Sequence, residues 1–152
     1  MSDLDRVVGG LVPFLVKAVW EMRSKNIVHF DLNPANIFIG GDGHFWKVTG
    51  FDHAEYLTPG DTTSFSPRGT LGYTDPDVLN NGSGTDSSDL YFVGAILYTL
   101  VTGEIYIHDK PLIVGLEDLS DTKYGALGEF IQTLLKKNSK LLKSFMTKQR
   151  IS

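Results

Sequence analysis

Between Asp86 and Gly103 the chain carries a run that leaves little choice of architecture. Leu90, Val93, Ile96, Leu97, Leu100 and Val101 recur at three- and four-residue spacing, the period of an α-helix. Thr85 and Asp86 precede it as good N-cap residues and Gly103 follows as a stop. So broad an apolar face belongs in the middle of a domain, and the rest of the chain must surround it. With 152 residues, 41% of them hydrophobic and 21% charged, there is material for one core. A chain of this size hides roughly two-thirds of its unfolded surface, so residues 1–152 are read as a single domain.

Candidates for the surrounding layer are legible to different degrees. Leu4, Val7, Val8, Leu11, Leu15, Ala18, Val19 and Met22 form a helical stripe, although Gly9, Gly10 and Pro13 weaken its first half. Asn36 to Ile39 and Phe45 to Val48 are short apolar runs around Gly40-Gly41-Asp42-Gly43, a β-hairpin signal. No helix follows those glycines and no Gly-Lys-Ser/Thr ends them, so they are not a phosphate loop. Leu57 to Pro67 reads as an irregular loop and Asn80 to Gly84 as a polar linker. A loose segment around Pro111 to Leu119 and helices near Leu127 to Lys137 and Ser139 to Lys148 complete the pass. The expected fold class is mainly α with a small β-hairpin.

The stretch that carries chemistry is Ile27-Val28-His29-Phe30-Asp31-Leu32-Asn33-Pro34-Ala35-Asn36. It sets a carboxylate at Asp31 and an amide at Asn36, five residues on. This stretch resembles the protein kinase catalytic loop, His-Arg-Asp-Leu-x-x-x-x-Asn. Three further motifs follow in order. Gly50-Phe51-Asp52 falls where kinases carry Asp-Phe-Gly, Gly69-Thr70-Leu71-Gly72-Tyr73-Thr74-Asp75-Pro76-Asp77 resembles Gly-Thr-x-x-Tyr-x-Ala-Pro-Glu, and Asp89-Leu90-Tyr91-Phe92-Val93-Gly94 resembles the start of the long central helix. The resemblance runs from about Leu11 to Gly103 and fades over 104–152.

The resemblance implies the helical C-terminal lobe of the kinase fold, in which Asp89 anchors the backbone of the catalytic loop from beneath. It places Asp31 at the base position, Asn36 at the metal, Phe38 under the adenine of ATP, and His29, Phe51, Tyr73 and Pro76 in structural roles. Several parts depart from the pattern. Gly50 replaces the carboxylate that bridges magnesium to the phosphates. Asp52 lies two positions late and could serve the metal only in a different register. Phe30 replaces the arginine that in many kinases receives an activation-loop phosphate, so Thr62, Thr63, Ser64 and Ser66 read as ordinary loop hydroxyls. Asn33 replaces the lysine that steadies the transferred group. The glycine-rich loop and strand lysine of an N-terminal lobe have no room before Leu4 in this reading.

The expectation is therefore a catalytically inactive pseudokinase, lacking the N-terminal lobe and acting as a protein-binding or regulatory module, with no cofactor. ATP and magnesium enter only under the first alternative, a serine/threonine-type protein kinase completed by an N-lobe from a partner or from upstream sequence. A second alternative is a small-molecule phosphotransferase of the aminoglycoside or choline kinase type, whose His-x-Asp and Asp-Phe-Asp/Glu motifs look like residues 29–31 and 51–52. Those families lack the Gly69 to Pro76 pattern. Ile37, Phe38, Ile39 and one face of the first helix are expected to lie bare and to take a protein partner or a second copy.

Charge and composition narrow the setting. Six basic residues and no acidic one follow Glu129, within a net charge of −4. This basic end reads as a solvated helix face able to touch an anionic surface, and no aromatic interleaving suggests nucleic acid. Absence of cysteine excludes disulfides, thiolate metal sites and a cysteine nucleophile. The beginning fits neither a secretory signal nor a transit peptide, and no apolar stretch reaches bilayer length. The expected setting is intracellular and soluble, in cytoplasm or nucleus. His44, His53 and His108 have no ligand spacing and read as surface residues.

Overall fold

The protein, described from a computed structural model, is placed over residues 3–39, 46–106, 125–138 and 140. Helix α1 (Asp3–Ser24) leads to β1 (Ile27–Val28), then β2 (Ile37–Ile39), β3 (Trp46–Val48), β4 (Glu55–Tyr56) and β5 (Thr62–Ser64). A short helix α2 (Pro76–Asn81), strand β6 (Ser83–Thr85), helix α3 (Ser88–Thr102) and helix α4 (Gly125–Leu135) follow. The described part is helix-rich, with three two-stranded antiparallel sheets pairing β1 with β4, β2 with β3 and β5 with β6.

Helix α3 is the hub. Every residue from Ser88 to Ala95 is buried, as are Leu97 and Tyr98, because α1 and α4 both pack on it. Gly94 sets the approach of α4: a Cβ there would lie 2.9 Å from Leu134 Cβ and 3.0 Å from the Leu135 backbone nitrogen. The helix ends at Gly103, whose φ of 77° suits glycine and whose N–H closes on the Thr99 carbonyl at 2.8 Å. Its start lies later than Thr85 and Asp86 suggest, at an Ser87 cap. Those two residues are engaged elsewhere: Thr85 Oγ1 accepts from the Ser87 N–H, and Asp86 pairs with Arg23 at 3.2 Å.

Helix α1 runs unbroken through Pro13. An interior proline costs roughly 3 kcal/mol in a helix, and the burial of Leu11, Leu15, Val16 and Val19 against α3 offsets it. Two loop readings are corrected. Residues 57–67 are not wholly irregular, since Thr62, Thr63 and Ser64 pair with Thr85, Gly84 and Ser83. The polar stretch 80–84 is divided between the end of α2 and β6, with Gly82 at φ 64° turning the chain between them. Short strands of Thr and Ser carry no apolar alternation, so the partner strand rather than the local pattern decides them. The expected hairpin is present at its flanks, although Asn36 belongs to a 3₁₀ turn rather than to β2. Phe45 and the turn lie outside the described residues, as do Pro111 to Leu119 and all of the 139–148 helix but residue 140. Among the described residues no helix is long and apolar enough to cross a membrane.

Candidate functional site

The loop after β1 hangs from α3. Asp89, in the first turn of that helix and 4% exposed, accepts the His29 N–H on Oδ2 at 2.7 Å and the Phe30 N–H on Oδ1 at 3.1 Å. Burial pushes its carboxyl up from the ordinary range, against the opposing pull of those two amides and of Arg23. The grip holds Phe30 at φ 65°, a left-handed conformation that costs a non-glycine residue about 1–2 kcal/mol.

His29 joins this loop to the strand-end segment 49–51. Its ring is fully buried. The Asp31 N–H points to Nδ1 at 3.1 Å, so Nδ1 is an acceptor and the ring proton resides on Nε2, facing the Thr49 carbonyl at 2.8 Å. The Phe51 ring lies 4.7 Å away. Asn33 and Asn36 both donate to the Asp31 carbonyl, at 3.1 and 2.7 Å, while Asn33 Oδ1 caps the Pro34–Asn36 turn by accepting from Ala35 N at 2.9 Å. Asn36 reaches onward through its own carbonyl, which accepts the Thr49 N–H at 2.8 Å. His29, Asp31, Asn33, Asn36 and Asp89 are thus one hydrogen-bonded unit.

Gly50 completes the unit by what it omits. It stands at φ 78°, ψ 44°, and a Cβ built on it would lie 2.6–2.8 Å from Oδ1, Cγ and Nδ2 of Asn36. The Asn36 amide therefore fills the space into which a side chain at position 50 would emerge. Asp52 is on an exposed 3₁₀ turn, Phe51–His53. Its carboxylate is not gathered with others: among the described residues no group of three or more His, Asp or Glu is arranged to hold a metal ion.

Phe38, on β2, is 57% exposed and Phe51 is 47% exposed. Beside Phe51, an open groove of about 410 Å³ is lined by Phe14, Met22, Ile27, Trp46 and Val48, with Lys25 and Lys47 also on its wall. Tyr73 closes the far end of the site, its N–H on the Thr70 carbonyl at 3.1 Å and its ring 6.4 Å from Phe92. Pro76 is the first residue of α2, where its missing N–H costs nothing.

Sequence reasoning passed over two contributors here. Asp75 caps α2 by accepting from Asp77 N at 3.0 Å, takes the Ser88 hydroxyl at 2.8 Å, and pairs with Lys137 at 2.9 Å. Lys137 also reaches Asp77 at 2.8 Å. Burial works to lower the Lys137 pKa, but the hydrogen bonds and charges of Asp77 and Asp75 outweigh it and the ammonium is held above its usual range. An Asp directly before a Pro was the available cap signal. The partner 62 positions away had none.

Comparison with known proteins settles the ancestry of this unit. Residues 6–149 match the model of the protein kinase domain. The chain belongs to the protein kinase family. It is 36% identical over 91 residues to rat 3-phosphoinositide-dependent protein kinase 1, covering 59% of this chain and 16% of that protein. It is 35% identical over 96 residues to developmentally-regulated protein kinase 1 of Dictyostelium discoideum, covering 62% and 13%. Mouse ribosomal protein S6 kinase alpha-2 is 30% identical over 96 residues, covering 63% and 13%. The chain thus spans about one-sixth or less of the length of these relatives.

Proposed function

We propose that this member of the family is a pseudokinase, a kinase-like C-terminal lobe that binds protein without transferring phosphate. The observation that carries the reading is the contact between Asn36 and Gly50. Position 50 offers no side-chain oxygen to a metal, and the Asn36 amide occupies the exit that a side chain there would need. Magnesium demands near-octahedral oxygen ligands at about 2.1 Å, and Asp52 lies two positions on, on an exposed turn, in no group of three or more His, Asp or Glu among the described residues. These residues do not fit a magnesium–ATP complex. Phe30 and Asn33 in place of charged side chains support the same reading, since kinase catalysis rests on positioned charge. The groove between α1, β3 and Phe51 supports a regulatory role in which a protein segment or a second copy is seated there.

One observation favours a second reading. The Asp31 carboxylate is free of any described hydrogen bond or ion pair while the loop around it is fully braced, a geometry suited to a general base. In that reading an N-terminal lobe, from the same or another polypeptide, sits over the groove and Asp52 moves to the metal.

Two measurements decide. A thermal-shift titration with magnesium and ATP is expected to leave the melting temperature unchanged, because a ligand that binds the folded state must raise it by mass action. A labelled-phosphate assay is expected to show no protein labelling. Metal-dependent labelling that disappears in Asp31→Ala would overturn the pseudokinase reading in favour of the second.

A further inference from the structure

The aromatic residue that stands where a charge is usual has a companion in the segment between β5 and α2. Phe30 is buried, and its ring meets Phe65 edge-on with centroids 5.3 Å apart. The ring also lies directly on β6: a Cβ on Gly84 would fall 2.4 Å from Phe30 Cε1, so only glycine admits it. Val28, Leu57 and Val78 complete this second, smaller core. Phe65 is fixed from its other side too. Its N–H closes on the Gly82 carbonyl at 2.8 Å, and the Arg68 guanidinium lies 3.9 Å above its ring. Arg68 in turn donates from Nη2 to the His53 carbonyl at 3.4 Å and from its backbone N–H to the Val78 carbonyl at 3.4 Å.

We infer that the stack Phe30–Phe65–Arg68 is a packing pin that holds residues 62–68 against the loop at 29–31, with Phe65 as the positioning residue. Three separate parts of the chain meet at it: the loop suspended from Asp89, strand β6 at Gly84, and the segment that leaves β5. Two of its contacts are aromatic or cation–π and the rest are hydrogen bonds to backbone carbonyls, so none depends on an added negative charge. The hydroxyls of Thr62, Ser64 and Ser66 lie on exposed residues, and residue 30 has no cation to offer them. The segment is therefore set in place by the unmodified sequence, and the one cation within residues 62–68, Arg68, is already engaged on the Phe65 ring and the His53 carbonyl. The pin operates whether or not the chain transfers phosphate.

Amide hydrogen exchange in a peptide covering residues 62–68, read beside one from α3, tests this. Exchange through local opening follows the population of the open form. Phe65→Ala is expected to speed exchange in the segment by about tenfold or more, with α3 protection retained. Phe65→Leu, which keeps most of the volume without the ring edge, gives an intermediate rate and serves if the alanine variant fails to fold. Ser66→Glu and 0.5 M sodium chloride are expected to change the rate by less than about twofold, since the pin holds no ion pair and ring packing rather than its one cation–π contact carries most of it. Unchanged exchange in the Phe65 variants, or a response to Ser66→Glu or salt as large as theirs, would overturn the proposal.

Discussion

Replacing Asp89 by alanine tests the central claim about how the site is held. The carboxylate accepts two buried backbone N–H groups, those of His29 at 2.7 Å and Phe30 at 3.1 Å. Truncation leaves both donors without a partner and without water. Each orphaned group costs about 1–3 kcal/mol, so about 2–6 kcal/mol is at stake. Phe30 also loses the brace that keeps it at φ 65°, worth about 1–2 kcal/mol of stored strain that is released and partly repays the loss. Removing a desolvated carboxyl repays a little more. The net expectation is about 2–4 kcal/mol of destabilisation. Asp89→Asn keeps one acceptor oxygen and turns an amide N–H toward the other donor, so it should fall between wild type and alanine. Urea unfolding followed by far-ultraviolet circular dichroism gives both values from the midpoint and slope, and an unchanged slope shows that stability rather than compactness has changed. A loss below about 1 kcal/mol for Asp89→Ala, or an asparagine variant as unstable as the alanine one, would refute suspension of the loop from α3.

Three further outcomes are expected. Lys137→Met strands the buried Asp75 carboxylate and should cost about 2 kcal/mol in urea unfolding. Because the folded Lys137 pKa lies above its unfolded value of 10.5, the stabilisation is complete below that value and is lost as pH rises through the folded one. The wild-type advantage over the variant should therefore shrink in the alkaline limb above about pH 10.5, and shrinkage at neutral pH would contradict the pairing. Gly94→Ala places a methyl 2.9 Å from Leu134 Cβ and 3.0 Å from the Leu135 backbone, an overpacking cost of about 1–3 kcal/mol, visible as a melting temperature lower by about 3–9 °C. Gly50→Asp must displace the Asn36 amide from its 2.7 Å bond to the Asp31 carbonyl. It should lower stability by about 1–3 kcal/mol without creating a magnesium–ATP thermal shift, and a shift of several degrees would show that position 50 alone withholds the metal.

How much of this could be read in advance depends on whether the deciding contact is local. The body of α3 and its stop at Gly103 were legible because a helix writes its own period, although its cap fell at Ser87 rather than at Thr85 or Asp86. Leu11, Leu15 and Val19 of the α1 stripe were legible too, though buried Val16 beside them was not part of it, and Pro13 misled only because propensity is a local measure while the offsetting burial is tertiary. Strand β5 was illegible: Thr62, Thr63 and Ser64 have no alternation, and what makes them a strand is Ser83 to Thr85 some twenty positions on. The same holds within the site. The spacing of Asp31 and Asn36 could be read directly, but the collision course between Asn36 and residue 50 could not, because it depends on the left-handed turn at Gly50. Phe30 read as a lost charge. Its positive role, as a ring seated on Gly84 and Phe65, required three distant segments in one place.

The suspension of the loop also orders events in time. His29 and Asp89 are 60 positions apart in the chain. At about 5–20 residues per second of synthesis, the acceptor is made on the order of several seconds after the donors. Until then residues 29–31 are a solvated connection with no reason to adopt φ 65° at Phe30. Contacts between positions so far apart are closed late, after local helices have formed. Weakening Asp89 should therefore accelerate unfolding far more than it slows folding, which makes this carboxylate a determinant of how long the native state lasts once it has been reached.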